Sequence, residues 1–466
     1  MAVKISSLFF WVEPIKTIVW DSFGWVVVFL FILWVPFLRV WWWVFLPIML
    51  SAKLRELYLW WIDWDVYYAK QKWVMLEITP PKEILVPVKA MEDVFSIVWT
   101  VWDNPSWREK WCEGEMDYVP FWCSWEIASL EGKIHFYLRV LAQNRLSIES
   151  ALYSYYPDIE IEEVSDYVKL VPPTAPNDEW DVYGEDFILI QDNALPIKTY
   201  EKFFEPQGEK ISAEEKRMDP IISLLESMSK LGPDEYYWTQ FIAMPINKDV
   251  DEPSFEKKAT KLINKISKRP EKQETTLIDD LIYVFKQLIL GPDKEGSGEK
   301  ASYKWAPQQK EESGEREMVL TPGEREVITE IENKMKKPLF KTVLRGVYIA
   351  KRDNWKASHK VLARSYFSHF GAQNMNQIRL NVATRPKIHY LMRQRRAFIR
   401  ARKMFRMAVL RLTPAFPNRQ KFSSIFSTEE MATLFHFPLR ITGMVAPTMS
   451  KVESKKAGPP PNLPVE

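Results

Sequence analysis

The stretch "FWCSWEIASLEGKIHFYLRV", Phe121 to Val140, decides how the middle of this chain folds. Two apolar, strand-like runs flank Glu131 and Gly132, a pair of residues typical of a tight turn, so the sequence predicts a β-hairpin. Upstream, "WVMLEIT" (Trp73 to Thr79) alternates like a strand. The segment "AMEDVFSIVWTVW" (Ala90 to Trp102) then repeats apolar residues at helical spacing.

Downstream of the hairpin, "RLSIESALYSYY" (Arg145 to Tyr156) has a helical pattern and "IEIEEV" (Ile159 to Val164) that of a strand. The resulting order β-α-β-β-α-β is that of a ferredoxin-like layer. A similar order recurs further along the chain, and we expect a second unit of the same kind. Its predicted elements are the strand "DFILIQ", the helix Pro220 to Leu231, the strand Glu235 to Ile246, the strand Phe340 to Arg352, the helix Lys356 to Phe370 and a weak strand at "NQIRLNV".

The predicted fold class is therefore α+β, with two ferredoxin-like βαββαβ units in series. A helical insertion, Phe255 to Leu290, interrupts the second unit. The following residues 292–317 are too rich in Gly, Ser, Glu and Lys to bury a core, so we expect them to be flexible. The expected domains are 1–72, 73–175, 176–384 and 385–466, the last with a Pro-rich, extended tail that ends "KKAGPPPNLPVE".

The N-terminal segment suggests a membrane. Eleven of the 21 tryptophans lie between Trp11 and Trp73, and the 28 residues from Phe23 to Leu50 are apolar except for Arg39. Since a helix needs about 20 apolar residues to cross a bilayer, we expect one transmembrane helix. More Lys and Arg follow this run than precede it, which predicts a single-pass protein in the cell membrane with most of the chain in the cytoplasm. The aromatic segment Leu57 to Tyr68 would lie along the membrane interface.

Residue patterns for catalysis or metal binding are weak. None of the 15 glycines begins the G-x-x-x-x-G-K-[ST] pattern that binds nucleotide phosphates, and "GSGEK" (Gly296 to Lys300) is a poor match. The five histidines are scattered, and His135 is expected to be structural or surface-exposed. The acids of "YPDIEIEEVSDY" favour a solvated edge strand over a metal site. The two cysteines are expected to be reduced thiols. Taken together, these patterns lead us to predict no enzyme activity, no cofactor and no metal.

Charge is the feature that points to a partner. From Asp353 to Glu429 there are 16 Lys or Arg and no acidic residue between those two ends. The densest part interleaves bases with apolar residues at helical spacing, which predicts a basic helix. Its partner could be DNA, anionic lipid or an acidic protein face. The candidate contact residues are Arg393, Arg395, Arg396, Arg400, Arg402, Lys403 and Arg406.

Several segments, in the same order, resemble the non-catalytic N-terminal region of membrane-anchored, type IV secretion-like ATPases of the TraG and HerA group in candidate-phylum bacteria. They include "WVMLEITPPKE", "WCSWEIASLEGKIHFYLRV", "DPIISLLESMSKLGPDEYYWTQFI", "LTPGEREVITEIENK" and "FSTEEMATLFHFP". In fused relatives, a linker resembling Pro459 to Pro464 precedes the motor. The resemblance implies a membrane-anchored adaptor of a conjugative translocation machine, which docks a separately encoded motor ATPase.

Two functions stay open at this point. The chain is either such an adaptor or a membrane-bound scaffold unrelated to DNA transport, whose basic helix contacts lipid. The expected partners are the membrane and the motor ATPase, with DNA, anionic lipid and a second copy of the chain as further candidates.

Overall fold

The hairpin predicted around Glu131 is present. In the computed structural model, strand β2 (Cys123–Leu130) pairs with β3 (Lys133–Leu141), and Leu130 lies opposite Lys133. Both turn residues have positive φ, 56° at Glu131 and 84° at Gly132, which matches the right-handed twist of the two strands. All of β2 except its last residue is buried. This hairpin therefore lies inside the sheet rather than at its edge.

The structure describes residues 30, 34–36, 40, 42–62, 67–81, 84, 86–111, 121–203, 219–249, 251–267, 293–295, 302–304, 320–389, 392–412 and 423–438. The other strands are β1 (Trp73–Thr79), β4 (Glu160–Val164), β5 (Trp180–Leu189), β6 (Glu235–Ile246), β7 (Asp293–Glu295), β8 (Ser302–Lys304), β9 (Leu339–Lys351), β10 (Ile378–Leu380) and β11 (Ser424–Ser427). The α-helices within these ranges are α1 (Trp42–Trp61), α2 (Lys89–Trp99), α3 (Trp107–Trp111), α4 (Arg145–Tyr155), α5 (Tyr200–Phe203), α6 (Pro220–Ser229), α7 (Ser254–Ile266), α8 (Pro322–Lys336), α9 (Leu362–Ser368), α10 (Arg393–Leu410) and α11 (Thr428–Leu434).

Nine of the strands form one antiparallel sheet. Eight of them lie side by side in the order β10-β5-β9-β6-β2-β3-β1-β4, and the ninth, β11, pairs with β9. The two halves, β4-β1-β3-β2 and β10-β5-β9-β6, repeat one strand order. They are joined where β2 pairs with β6 over eight residue pairs, from Cys123 opposite Ala243 to Leu130 opposite Tyr236. Every residue of β6 is buried.

The α+β class agrees with the structure, but the prediction of two ferredoxin-like units in series is wrong. The physical reason lies in β2 and β6, which lack the solvent-facing residues of an edge strand and bury each other at the centre of one sheet. Most single elements were predicted well: β1 and β6 have the predicted bounds, and α2, α4 and α6 differ by a few residues at their ends. Two short strands, β7 and β8, lie within the stretch predicted to be flexible.

The membrane prediction is also corrected. No helix within the described ranges is long and apolar enough to cross a membrane, so the predicted single-pass topology and membrane localisation are wrong for these residues. Helix α1 covers the C-terminal part of the predicted span, but it continues through Lys53, Arg55 and Glu56, which raises its polarity. Most of the predicted apolar segment Phe23 to Leu38 lies outside the described residues.

Helices cover both faces of the sheet. Helices α2, α4, α6, α9 and α11 pack on one face, in a core that includes Phe95 and Trp125 with ring centroids 5.1 Å apart. Helices α7, α8 and α10 lie in the cores on the other face. Tyr68, at the end of the predicted interfacial segment, is buried here edge-on against Trp122. The sheet is thus the middle layer of three.

Gly132 gives the first testable prediction. A Cβ at this position would lie 2.7 Å from the Leu231 carbonyl oxygen and 2.9 Å from that of Ser229, in addition to the strain of its positive φ. We expect Gly132→Ala to lower the free energy of unfolding by about 1–3 kcal/mol in urea denaturation. Gly323→Ala is the control, because a Cβ there meets only Asn374 Nδ2 at 3.5 Å. Equal stability of the two variants would contradict the turn geometry.

Candidate functional site

The seven basic residues singled out from the sequence all lie on one helix, α10, which spans 18 residues. Its buried side chains are confined to the C-terminal half and begin at Ala401. The N-terminal half, from Met392 to Arg400, is exposed or half-buried throughout, and we call it the exposed half. One helix therefore combines a packed end with a solvent-facing basic end.

The packed end of α10 crosses the sheet. Met404 lies against Gly184 of β5 so closely that a Cβ on the glycine would be 2.4 Å from Met404 Cγ. Phe405 stacks on Trp238 of β6, with ring centroids 6.1 Å apart. Arg411, just beyond the helix, reaches β2. Because these contacts progress from β5 to β2, the exposed half points the opposite way, past β5.

Arg411 is the main anchor of the helix end. Its Nε donates to Glu126 Oε1 at 2.8 Å, and its Nη1 donates to Asp166 Oδ2 at 2.6 Å. The side chains of Arg411 and Glu126 are 1% and 0% exposed. Burial alone would lower the pKa of Arg411, but Glu126 and Asp166 more than offset it and raise the pKa well above the ordinary value of an arginine. The guanidinium is thus charged and held between two carboxylates.

The last carbonyl groups of α10 accept hydrogen bonds from side chains of the sheet, in addition to those from the backbone N–H groups of Arg411 and Leu412. Arg345 of β9 donates through Nη1 to the Met407 carbonyl at 2.8 Å, and through Nε to Asp186 Oδ1 at 2.8 Å. Gln240 of β6 donates to the Ala408 carbonyl at 3.0 Å. Helix C-termini lack intrahelical partners for these carbonyls and carry partial negative charge. A buried arginine therefore stabilises this end both by hydrogen bonding and by charge.

The exposed half combines arginines with apolar side chains. Met392, Phe398 and Ile399 are 64%, 44% and 40% exposed. Arg400 Nη1 donates to the Arg385 carbonyl at 3.3 Å, which places this half beside the segment that follows β10. Of the predicted contact residues, the structure places Arg393, Arg395 and Arg396 at exposed positions, and Arg400, Arg402, Lys403 and Arg406 at half-buried ones.

Positive charges also accumulate toward the middle of α10. The pKa of Arg406 is lowered, first by burial and then by the like charge of Arg402. No acidic residue occurs between Asp353 and Glu429 to compensate along the chain. The helix therefore carries a high local density of basic residues.

A second cluster of titratable groups surrounds Glu235, at the start of β6. Its carboxylate accepts hydrogen bonds from the Gly232 backbone N–H at 2.7 Å and from the Tyr348 hydroxyl at 2.9 Å. Lys356 Nζ lies 3.3 Å away, and His359 Nδ1 lies 3.5 Å away. Burial raises the pKa of Glu235, but the bonds from Gly232 and Tyr348 outweigh it and the net pKa is lowered. A carboxylate surrounded by this many hydrogen-bond donors is suited to fixing the position of the first residue of β6.

The other histidine, cysteine and acidic residues considered in the sequence analysis lie in places where they contribute to the fold. His135 Nδ1 lies 2.6 Å from Glu77 Oε1 on the neighbouring strand. Cys123 is a buried free thiol whose pKa burial raises to about 12. The acids Glu160 and Glu162 lie on β4, the last strand of the sheet. Within the described ranges, no group of His, Cys, Asp and Glu side chains could hold a metal ion. Cys112 and the segment Gly296 to Lys300 lie outside those ranges.

A cleft of 440 Å³ opens between the ends of α2, β6 and α8. Its floor includes Trp99, whose indole N–H donates to the Ile246 carbonyl at 2.9 Å. Two of the lysines that line it have carboxylate partners: Lys337 lies 2.7 Å from Glu429, and Lys248 lies close to Glu256. These two lysines are therefore engaged within the fold.

Comparison with known proteins finds no matching family model and no similar curated sequence. The positive surface of α10 is therefore the feature of the described chain that best indicates a function.

The Arg411 anchor gives the second prediction. Arg411→Met would leave the buried carboxylate of Glu126 and the partly exposed carboxylate of Asp166 without their cation, so we expect a loss of about 3–5 kcal/mol in the free energy of unfolding. Arg411 holds the pKa of Asp166 below its usual 3.8 against the opposing effect of burial. This contribution is therefore present at neutral pH and is lost as the pH falls through the lowered pKa. Arg393→Met, at an exposed position of the same helix, is the control and should cost little in urea denaturation.

His436 gives a third prediction, for pH. Its Nδ1 lies 3.0 Å from the Ala432 carbonyl and its Nε2 lies 3.0 Å from Asp219 Oδ1, so both ring nitrogens face acceptors and the ring carries two protons. Although burial lowers its pKa, Asp219 more than offsets this and raises it above 6.5. The stabilisation is therefore full below about pH 6.5 and is lost as the pH rises through the higher folded-state pKa.

We expect His436→Gln to be about 1.5–3 kcal/mol less stable than the parent at pH 6, with a smaller difference at pH 9. Urea denaturation at both pH values measures this. His369→Gln, at an exposed position, is the control. A deficit that grows with pH would show that the buried ring is neutral.

Proposed function

We propose that the chain is a non-catalytic adaptor of a type IV secretion-like translocation machine, and that the exposed half of α10 docks the motor ATPase. One observation carries the proposal. A basic and apolar helix end faces solvent while the other end of the same helix is held in the sheet by Arg411 and Arg345. A docking element fixed in this way loses little conformational freedom on binding.

The composition of the exposed half favours a protein partner. Its four basic residues are all arginine, and they alternate with Met392, Phe398 and Ile399. Arginine, methionine and aromatic residues are enriched in protein interfaces, whereas lysine is depleted. Arginine also pairs with carboxylates in a bidentate geometry that lysine lacks. An acidic protein face with apolar pockets is therefore the partner that fits best.

DNA is the second candidate for this surface. Phosphates would be attracted by the same arginines, and such binding would weaken steeply with salt. Only Phe398 in the exposed half could stack on a base, and the two neighbouring apolar residues, Met392 and Ile399, gain nothing from a phosphate backbone. This comparison favours protein over nucleic acid.

The buried charges support a non-catalytic role. Arg411, Arg345 and Lys334 are each paired with a carboxylate inside the fold, Lys334 Nζ lying 2.9 Å from Glu430 Oε2. Glu235 is saturated by donors, as described above. These groups serve the fold, and the cleft beside α8 has no convergent reactive set. The resemblance of the chain to the N-terminal region of TraG- and HerA-type proteins suggests which motor is the partner.

The fourth prediction tests docking. Arg393, Arg395, Arg396 and Arg400 are changed together to Gln, and binding to a TraG- or HerA-type ATPase from the same genome is measured by calorimetry. Because four charges at the contact are lost, we expect at least about tenfold weaker binding, or 1.4 kcal/mol. The matched control changes Lys257, Lys258, Lys261 and Lys265 on α7 to Gln, which removes the same charge elsewhere.

The control variant should bind like the parent. Equal weakening in both variants would mean that net charge alone matters and would contradict docking through α10. Duplex DNA is titrated in parallel. If the arginine variant lost DNA binding but kept motor binding, the nucleic-acid alternative would replace the proposal.

A further inference from the structure

Two surfaces of opposite charge lie at opposite ends of the sheet. The exposed half of α10 extends past β5 at one end, beside residues that follow β10. Strand β4 is at the other end and carries exposed carboxylates at Glu160 and Glu162. Seven strand spacings separate β10 from β4, or about 34 Å at about 4.8 Å each. The two surfaces of one copy are thus too far apart to meet.

The carboxylates of β4 are available on the correct face. Glu162 lies opposite Glu77, and Val164 lies opposite Met75, a residue that shares a core with Phe405 of α10. Glu160 and Glu162 therefore point to the side of the sheet that α10 covers. Glu163 points to the other side, where Arg145 pairs with it.

We propose that, in the absence of the motor, the exposed half binds β4, the last strand of the sheet within the described residues, in a second copy of the chain. Arginines of the exposed half would pair with Glu160 and Glu162, and apolar side chains beside them would be covered. Because the two surfaces differ, the contact is head to tail, and a pair of copies joined in this way keeps one free helix end and one free β4 surface. This inference rests on the proposed function, since the same exposed half is used and the motor would compete with the second copy.

Charge reversal tests the contact. The edge variant is Glu160→Lys with Glu162→Lys, and the helix variant is Arg393→Glu with Arg395→Glu. By sedimentation velocity at low salt, we expect the parent to associate with rising concentration and each variant alone to remain monomeric. An equal mixture of the two variants should associate again, because the reversed edge of one fits the reversed helix of the other. Asp103→Lys with Asp249→Lys, both at exposed positions away from β4, is the matched control and should behave like the parent.

Two results would overturn the inference. The parent could remain monomeric at its highest soluble concentration, or both variants could associate as the parent does. Neither result affects the proposed function, because the edge variant keeps the exposed half intact and its motor binding is measured separately. Conversely, the inference holds if the variant mixture associates even when no motor ATPase binds.

Discussion

The buried contact of Arg411 with Glu126 and Asp166 is the interaction on which the account of this protein depends. It joins the end of α10, strand β2 and the segment after β4, which are far apart along the chain. Removing the charges of Arg411 and Glu126 from water is costly, and the geometry must offset that cost. Here both carboxylates contact the guanidinium directly, and the Tyr167 hydroxyl donates a further hydrogen bond to Glu126. With the helix end held there, the direction of the exposed half is set.

The second constraint is the pairing of β2 with β6. Both strands are buried on both faces, so neither has the solvent-facing residues of an edge strand. Their pairing makes one sheet from two repeated strand orders. It also separates the basic and acidic surfaces by the width of the whole sheet. Continuity of the sheet therefore determines which contacts are possible within one copy and which require a partner.

The sequence predicted local structure well and long-range structure poorly. Alternation and apolar runs located β1 and β6 to the residue, and the turn chemistry of Glu131 and Gly132 located the hairpin. Helical spacing of apolar residues also indicated that only the second half of α10 is buried, since these residues are Ala401, Met404, Phe405 and Ala408. By contrast, Glu126 and Arg411 are 285 positions apart, and nothing in either local pattern links them. The two-unit prediction was wrong because it extended local patterns to the assembly of the sheet. The membrane prediction was wrong within the described residues, where no helix is long and apolar enough to cross a membrane.

The most direct test of the central claim is amide hydrogen exchange along α10, with and without the motor ATPase. The account predicts slow exchange for residues 401–411, which the sheet holds, in both conditions. Residues 393–400 should exchange quickly in the dilute protein and become protected when the motor is added. Uniform exchange along the whole helix, or protection by the motor at other surfaces while residues 393–400 stay unprotected, would contradict it.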